Sequence, residues 1–136
     1  MAVHGISRKH LEEEGTEASR AMRDLRELVE AKRSPGQARA VFVGHNAAFD
    51  WAYLSYYFEL YRLRNPFGYK ALDIKSLAMG RLGIGWFDTS KENLASLLPS
   101  LPPQDAARVH RADYDALYQA LILCALLDLP SPPRPS

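Results

Sequence analysis

The clearest indication of how this chain folds is the stretch AVFVGHNAAFD at residues 40–50. Residues 40–44 are mostly apolar, and their β-branched and aromatic side chains suit a strand that is buried on both faces of a parallel sheet. Glycine at position 44 ends this run, and the apolar residues from 46 to 63 recur at helical spacing. The stretch therefore predicts a buried strand that passes directly into a helix.

On either side of this stretch, the chain alternates between helical and strand-like patterns. An amphipathic helix is predicted over residues 16–33, and a second short strand over residues 71–74. Such alternation is typical of an α/β fold with parallel strands. Further helices are expected at 76–82, at 92–98 behind a capping Ser90, and from Arg111 onward, and residues 130–136 are expected to form a frayed Pro-rich tail.

The chain has the size and composition of one globular domain. Its 136 residues are 47% hydrophobic and 24% charged, which excludes disorder and collagen-like repeats, and its single cysteine excludes a disulfide scaffold. Seventeen Lys and Arg against sixteen Asp and Glu leave a net charge of +1. Binding to a polyanion would therefore have to come from local geometry. We expect one domain over residues 1–129, followed by the tail.

Two features indicate a cytoplasmic protein. The longest unbroken apolar run, residues 120–127, is far shorter than the ~20 residues that a membrane-spanning helix needs. The N-terminal residues 1–10 lack the apolar core of a signal peptide, and Cys124 lies in an apolar helical pattern. We therefore expect a cytoplasmic location and no membrane partner.

The first group of candidate functional residues lies within GHNAAFD, residues 44–50, where the predicted strand meets the helix. In open α/β sheets, ligands bind at the carboxyl ends of the strands. A structural interpretation is also open, in which Asn46 caps the helix and Asp50 favours its positively polarised N-terminus.

The second group is HRADYD at residues 110–115, which places a histidine and an acid five residues apart at the start of the last predicted helix. If His110 lies in the preceding loop, His110 and Asp115 can both reach one site. The alternative is that both are polar surface residues at the start of a helix.

Together the two groups have the chemistry of a metal-dependent hydrolase. The carboxylate oxygens of Asp50 and Asp115 suit Mg²⁺ or Mn²⁺. An imidazole, with a reference pKa of about 6.5, takes a proton from water at neutral pH. These are the components of metal-assisted phosphodiester hydrolysis.

The order of these motifs resembles that of a known enzyme family. GHNAAFD at 44–50, a strand containing Leu72-Asp73, and HRADYD at 110–115 resemble the 3′–5′ exonucleases that carry four acidic residues and a histidine (DEDDh type). Ribonuclease T and the epsilon subunit of bacterial DNA polymerase III belong to this family. The resemblance covers residues 3–127 and implies an α/β fold of the ribonuclease H-like type.

The resemblance implies a site with two divalent ions, Mg²⁺ or Mn²⁺. Asp115 would ligate the first ion, Asp50 would help to hold the second, partly through water, and His110 would be the general base that activates the attacking water. The implied reaction removes nucleotides from the 3′ end of single-stranded DNA or RNA. Asp73 lies outside this implied site, and we expect it to have a structural hydrogen-bonding role.

The resemblance also implies contacts with the terminal nucleotides of the substrate. Val3, His4 and Phe49 match family positions that pack against these nucleotides, and base stacking tolerates any sequence. Asn46 would be a helix cap, a substrate contact or both. For Phe49 the alternative is core packing, and for His4 it is an ordinary surface histidine.

The family's first motif, an Asp-x-Glu in a central first strand, is not found in this chain. With two further strands, the missing part amounts to roughly 25 to 50 residues. We therefore expect an N-terminally truncated fold that lacks the first three strands of the sheet, from a fragment or from a gene read from too late a start. The strand at 40–44 would then present an unpaired edge that favours a homodimer.

Three functional hypotheses follow. The first is a 3′–5′ exonuclease whose present chain is inactive or impaired, because Asp50 and Asp115 offer two negative charges to two divalent ions. The second is a non-catalytic remnant of an exonuclease domain that binds single-stranded nucleic acid or a polymerase subunit. The third is an unrelated α/β protein whose motifs are coincidental.

Overall fold

The computed structural model describes residues 5–34, 36 and 39–130, in which helices alternate with two short strands. Within these ranges, no helix combines the length and the apolar character that crossing a bilayer requires. The elements are α1 (Arg8–Glu14), α2 (Ala18–Lys32), β1 (Phe42–Gly44), α3 (Ala47–Leu60), β2 (Ala71–Asp73), α4 (Ile74–Leu82), a 3₁₀ turn (Trp86–Asp88), α5 (Lys91–Leu97) and α6 (Ala112–Asp128).

Strands β1 and β2 are hydrogen-bonded neighbours in a small parallel sheet, and α3 lies between them in the chain. Parallel neighbours need a crossover of about a dozen residues or more, which α3 and its flanking turns supply. The strands predicted at 40–44 and 71–74 are therefore confirmed, although each is one or two residues shorter than expected. The mixed α/β architecture is compatible with a ribonuclease H-like exonuclease fold.

Helix α1 precedes the first helix predicted from the sequence, which covers residues 16–33. Ser7 caps it, because its hydroxyl accepts the backbone N–H of His10 at 3.1 Å. Ion pairs one turn apart, Arg8 with Glu12 and Lys9 with Glu13, support the helix along its length. No residue of α1 is buried, so this helix lacks the apolar periodicity from which the other helices are predicted.

Two predicted hydrogen-bonding roles are confirmed at helix starts. The Ser90 hydroxyl accepts the backbone N–H of Asn93 at 3.1 Å and caps α5. The Asp73 carboxylate accepts the backbone N–H and the hydroxyl of Ser76 at 2.9 and 2.7 Å and caps α4. Asp73 therefore ends β2 and starts the next helix, which is the structural role expected for it.

The chain divides into two compact units. The first comprises residues 1–43 and 47–72, and the second comprises residues 44–46 and 73–136. The short segment 44–46 thus belongs to the second unit, whereas the helix that follows it belongs to the first.

In the first unit, α2 packs against α3, and each helix contributes a buried side chain, Met22 and Phe58 respectively. The ring of Phe42 in β1 lies 5.5 Å from the ring of Trp51 in α3 and 5.6 Å from the ring of Phe67. These aromatic contacts attach the strand to the first turns of α3 and to the turn that contains Phe67.

In the second unit, α4 packs against α6, and α5 adds a further buried face. The guanidinium of Arg81 donates to the carbonyl oxygen of Leu126 at 3.0 Å, which joins α4 to the end of α6. This core fixes the start of α6, where the candidate residue Asp115 lies. Its side chains, each almost fully buried, are Ile74, Ala78, Leu94, Leu98, Tyr118, Ile122 and Leu126.

Candidate functional site

The turn that follows β1 is attached to the second unit by His45. Its backbone N–H donates to the side-chain oxygen of Gln119 in α6 at 2.8 Å, and its ring Nε2 lies 2.6 Å from the carbonyl oxygen of Thr89. Because a carbonyl can only accept, Nε2 carries the proton. Thr89 is fully buried, and its own hydroxyl donates to the carbonyl oxygen of Trp86 at 2.6 Å. His45 therefore has a structural role that the sequence analysis did not assign.

Burial lowers the pKa of His45 below the ordinary value of a histidine, which makes stability depend on pH. In the unfolded chain the imidazole takes up a proton as the pH falls below about 6.5, whereas the folded imidazole resists protonation. The free energy of unfolding is therefore expected to decrease as the pH falls from about 7.5 to 5. Thermal unfolding at several pH values across this range measures this pH dependence. His45→Gln should flatten the dependence, His10→Gln should not, and an unchanged slope in His45→Gln would contradict the assignment.

Two of the predicted site residues have left-handed backbones. Asn46, immediately before α3, has a φ of 63°, and His110, at the end of the loop before α6, has a φ of 71°. Asn and His occupy this region more readily than most residues, yet it holds a small minority of non-glycine residues. Such conformations cluster at functional sites, where the surrounding structure maintains them.

Phe49 and Asp50 lie in the first turn of α3, within the first unit. Phe49 is 62% exposed, which excludes the core-packing alternative for this side chain. Its ring packs edge-on against that of Tyr53, one turn later, at 5.2 Å between centroids, and both rings remain open to solvent. Asp50 is also exposed and lies in the positively polarised end of the helix.

Asp115, in the first turn of α6, is bound by a lysine. Lys91 Nζ donates to Oδ1 of Asp115 at 2.9 Å, and the two side chains are only 21% and 22% exposed. The neighbouring Arg111 bonds instead to Asp113, at 3.3 Å, and these hydrogen bonds lower the pKa of Asp113. Lys91 could not be identified from the sequence, because it lies 24 residues before its partner and belongs to no motif.

His110 is exposed at the end of the loop before α6. Its side chain makes no hydrogen bond or ion pair to any residue in the described part of the chain. Its imidazole is therefore open to solvent, as a group that takes a proton from water must be. No hydrogen bond joins His110 to Asp115, although both lie at the start of α6.

The described residues do not by themselves form a centre for two metal ions. Within residues 5–34, 36 and 39–130, no three His, Cys, Asp or Glu side chains lie close enough together to hold one ion. Asp115 is paired with Lys91, and Asp50 belongs to the other compact unit. Val3 and His4 lie outside the described residues. The donor set present does not fit the two-ion site that the resemblance implies.

A feature that the sequence analysis missed is a concentration of arginines in the first unit. Arg33, Arg39 and Arg64 line one cavity of about 220 Å³, whose lining contains a single acid, Glu30. We call this cavity the arginine cleft. Among the described residues, none of the three guanidiniums forms an ion pair. Gly68 in the same lining has a φ of 80°, a left-handed conformation that glycine adopts readily.

Two further cations lie beside the arginine cleft. Lys32 and Lys70 line two adjoining cavities, and all three cavities share Ala40 in their walls. A chain with a net charge of +1 thus concentrates five positive side chains along one part of its first unit. Local geometry of this kind is what the sequence analysis required for binding to a polyanion.

Comparison with known proteins places these features in a family. A family model described as exonuclease matches residues 1–123. The 3′–5′ DNA exonuclease Cap18 of Escherichia coli is 37% identical to this chain over 120 residues, which are 88% of this chain and 62% of Cap18. The chain therefore spans less than two-thirds of the length of this relative. With its GHNAAFD and HRADYD motifs inside the matched region, the chain belongs to the exonuclease family.

Proposed function

We propose that this chain is part of a 3′–5′ exonuclease that acts on single-stranded DNA or RNA. The observation that carries the proposal is the start of α6, where an exposed and unpartnered His110 precedes the helix that holds Asp115. In a member of the exonuclease family, this is where a base for the attacking water is expected. The name of the relative from Escherichia coli favours DNA as the first substrate to test.

His110 is proposed as the group that accepts the proton of the attacking water. Its imidazole faces solvent and has no competing partner among the described residues, so a water molecule can reach it. Asp50 and Asp115 are proposed to act as acidic ligands of Mg²⁺ or Mn²⁺ only together with further donors from outside the described residues. Such ions would polarise the phosphate and generate the nucleophile when bound.

The 136-residue chain by itself is proposed to be inactive or strongly impaired. The reason is the donor set, because no three acidic or histidine side chains within the described ranges form a metal cluster. Mg²⁺ requires near-octahedral oxygen coordination, and groups that act as a unit lose most of the rate when some are missing. Further donors would have to come from residues outside this set.

Two surfaces support a single-stranded substrate. Phe49 and Tyr53 present adjacent exposed rings, and any base can stack on such rings. The arginine cleft offers three guanidiniums that form no ion pair with another described residue, and a guanidinium can bind phosphate in a planar, bidentate manner. Each surface lies within the first unit.

The arginine cleft is expected to contribute to the salt dependence of nucleic-acid binding. Each phosphate contact to a single strand contributes a slope of about −0.7 to the plot of log affinity against log salt concentration. Arg39→Ala and Arg64→Ala should therefore each make the slope shallower by about this amount. Fluorescence anisotropy of a labelled oligonucleotide across a salt series measures the slope. Arg8→Ala, which removes a cation paired with Glu12 on α1, is the control, and equal slopes in all three variants would contradict the assignment.

A second candidate function is a non-catalytic domain that binds single-stranded nucleic acid or a polymerase subunit. The Lys91–Asp115 pair favours it, because this pair balances the charge of the carboxylate without a metal ion. To separate the two candidates, the protein is expressed with any coding sequence that lies upstream of Met1 in its gene. It is then incubated with labelled single-stranded DNA and RNA in Mg²⁺ and in Mn²⁺. Shortening of either oligonucleotide supports the exonuclease, and stable binding without shortening supports the binding domain.

A further inference from the structure

The arginine cleft carries a surplus of positive charge. The guanidiniums of Arg33, Arg39 and Arg64 share its lining with one carboxylate among the described residues, that of Glu30. None of the three forms an ion pair with another described residue. The C-terminal end of α2 adds roughly half a negative charge, so the lining keeps a net charge of roughly +1 to +2.

Two of these arginines are not explained by helix ends. Arg33 directly follows α2, where the helix dipole favours a positive charge. Arg39 and Arg64 lie outside the helices and strands, and the influence of a helix dipole falls off within its last turn. Two further guanidiniums beside Arg33 repel it and each other, and a bound anion would relieve this repulsion.

Arg64 is placed by the hydrogen-bonded end of α3. The backbone N–H of Leu63 donates to the carbonyl oxygen of Phe58 at 2.8 Å, and that of Arg62 donates to the carbonyl oxygen of Glu59 at 2.9 Å. Arg62 has a left-handed φ of 52°, so these bonds form a Schellman motif. The chain that leads into Arg64 is therefore fixed by the helix.

A turn over residues 65–68 follows Arg64 and contributes to the lining of the cleft. The side-chain oxygen of Asn65 accepts the backbone N–H of Phe67 at 3.0 Å, and its carbonyl oxygen accepts the N–H of Gly68 at 3.3 Å. Because the side-chain oxygen is used, the NH₂ group is the part of the Asn65 side chain that can donate to a ligand. A wall that is ordered before binding lowers the entropic cost of holding a ligand.

The size and the surroundings of the cleft indicate which ligand it suits. Its volume of about 220 Å³ is below the roughly 300–1,000 Å³ of pockets that enclose a drug-sized molecule, so it suits a small charged group. An adjoining cavity, whose lining also contains Arg39, includes the ring of Tyr69, which is 76% exposed. A base attached to a phosphate in the cleft can stack on this ring.

We propose that the arginine cleft binds the terminal phosphate of a nucleotide, a phosphate monoester, in preference to a phosphodiester within a strand. A monoester carries a charge of about −1.5 to −2 at pH 7 and offers three acceptor oxygens. This charge is close to the opposite of that of the lining, and planar guanidiniums suit the oxygens. A phosphodiester carries a single negative charge and has fewer free oxygens.

A terminal phosphate has two sources that share this chemistry. One is the 5′-phosphorylated end of a nucleic-acid strand, and the other is a free 5′-nucleotide of the kind that an exonuclease releases. The inference rests on the proposed function only for this second source. The preference for a monoester depends on the charges and donors of the cleft alone.

The first test compares deoxyadenosine 5′-monophosphate with its methyl ester, a phosphodiester, by calorimetry in EDTA. The wild type is expected to bind the monophosphate about tenfold more tightly, because hydrogen bonds between charged groups are the stronger ones. Arg39→Ala and Arg64→Ala should each remove most of this difference. Arg8→Ala, which removes a cation paired with Glu12 on α1, should retain it. Equal affinities for the two compounds in the wild type, or no binding of either, would overturn the proposal.

Glu30→Gln guards against a loss of binding that is caused only by damage to the fold. It removes the one acid that the described lining contains, so the monophosphate should bind severalfold more tightly than to the wild type. Thermal unfolding of the two arginine variants is measured alongside, and their midpoints should match that of the wild type. A Glu30→Gln variant that binds the monophosphate no more tightly than the wild type would count against the cleft as the site.

The second test separates the two sources of the phosphate. Fluorescence anisotropy in EDTA compares a 5′-phosphorylated and a 5′-hydroxyl oligonucleotide of the same sequence. Tighter binding of the phosphorylated strand, lost in Arg39→Ala, assigns the cleft to the strand end. Equal affinities for the two strands, together with tight binding of the monophosphate, assign it to the free nucleotide. Because neither test uses nuclease activity, a protein that does not cut would fail the proposed function and still pass both.

Discussion

Replacing His110 with alanine is expected to slow the removal of 3′ nucleotides by about 10²–10⁴-fold, the contribution of a general base. The protein for this experiment is expressed with any coding sequence that lies upstream of Met1 in its gene. The imidazole is exposed and unpartnered among the described residues, so the substitution removes a proton acceptor. Because His110 has a φ of 71°, which alanine adopts less readily than histidine, a small decrease in the thermal midpoint is expected, and the rates are compared well below both midpoints. Single-turnover rates on a single-stranded oligonucleotide measure the effect on chemistry.

His10→Ala is the matched control for this experiment. His10 is likewise exposed, but it lies on α1, which buries none of its residues. Its loss should leave the rate unchanged. A His110→Ala variant that cuts as fast as His10→Ala would exclude His110 as the base.

Replacing Tyr118 with alanine is expected to lower the free energy of unfolding by about 3–5 kcal/mol, the usual cost of removing a large aromatic side chain from a core. Tyr118 is 1% exposed in the middle of α6, and its hydroxyl donates to the carbonyl oxygen of Pro102 at 2.8 Å. Tyr118→Phe keeps the ring and loses this hydrogen bond, so a cost of about 1 kcal/mol is expected. Denaturant titration measures both.

Leu117→Ala separates burial from helix propensity in this series. Leu117 precedes Tyr118 on the same helix but is 53% exposed, so its truncation should cost little. A Tyr118→Ala variant as stable as Leu117→Ala would show that the ring is not part of the core. The effect bears on function because α6 carries Asp115 in its first turn.

The elements that the sequence predicts well are those with a local signal. The run at 40–44 becomes β1, and the helix predicted over 46–63 is confirmed as α3, because apolar spacing reports which face is buried. Ser90 and Asp73 act as caps, since capping is decided within three or four residues. The observed helix boundaries differ from the predicted ones by one to three residues, because a cap or a turn begins or ends the helix there.

The features that the sequence does not predict depend on contacts between distant residues. Lys91 and Asp115 are 24 residues apart, and the three arginines of the arginine cleft come from two separate segments. Helix α1 has no buried face, so its ion pairs and its cap are the available signals. The catalytic and metal-binding roles of His110, Asp50 and Asp115 stay predictions that rest on the resemblance.

The polarity of cleavage tests the assignment most directly. A single-stranded oligonucleotide labelled at its 5′ end is incubated in Mn²⁺ or Mg²⁺ with the protein, which is expressed with any coding sequence upstream of Met1 in its gene. A 3′–5′ exonuclease gives a ladder of labelled products that shorten one nucleotide at a time from the 3′ end, and no such ladder is expected when EDTA is present from the start. Immediate release of the label as a mononucleotide, or internal cuts that leave the 3′ end intact, would contradict a 3′–5′ exonuclease.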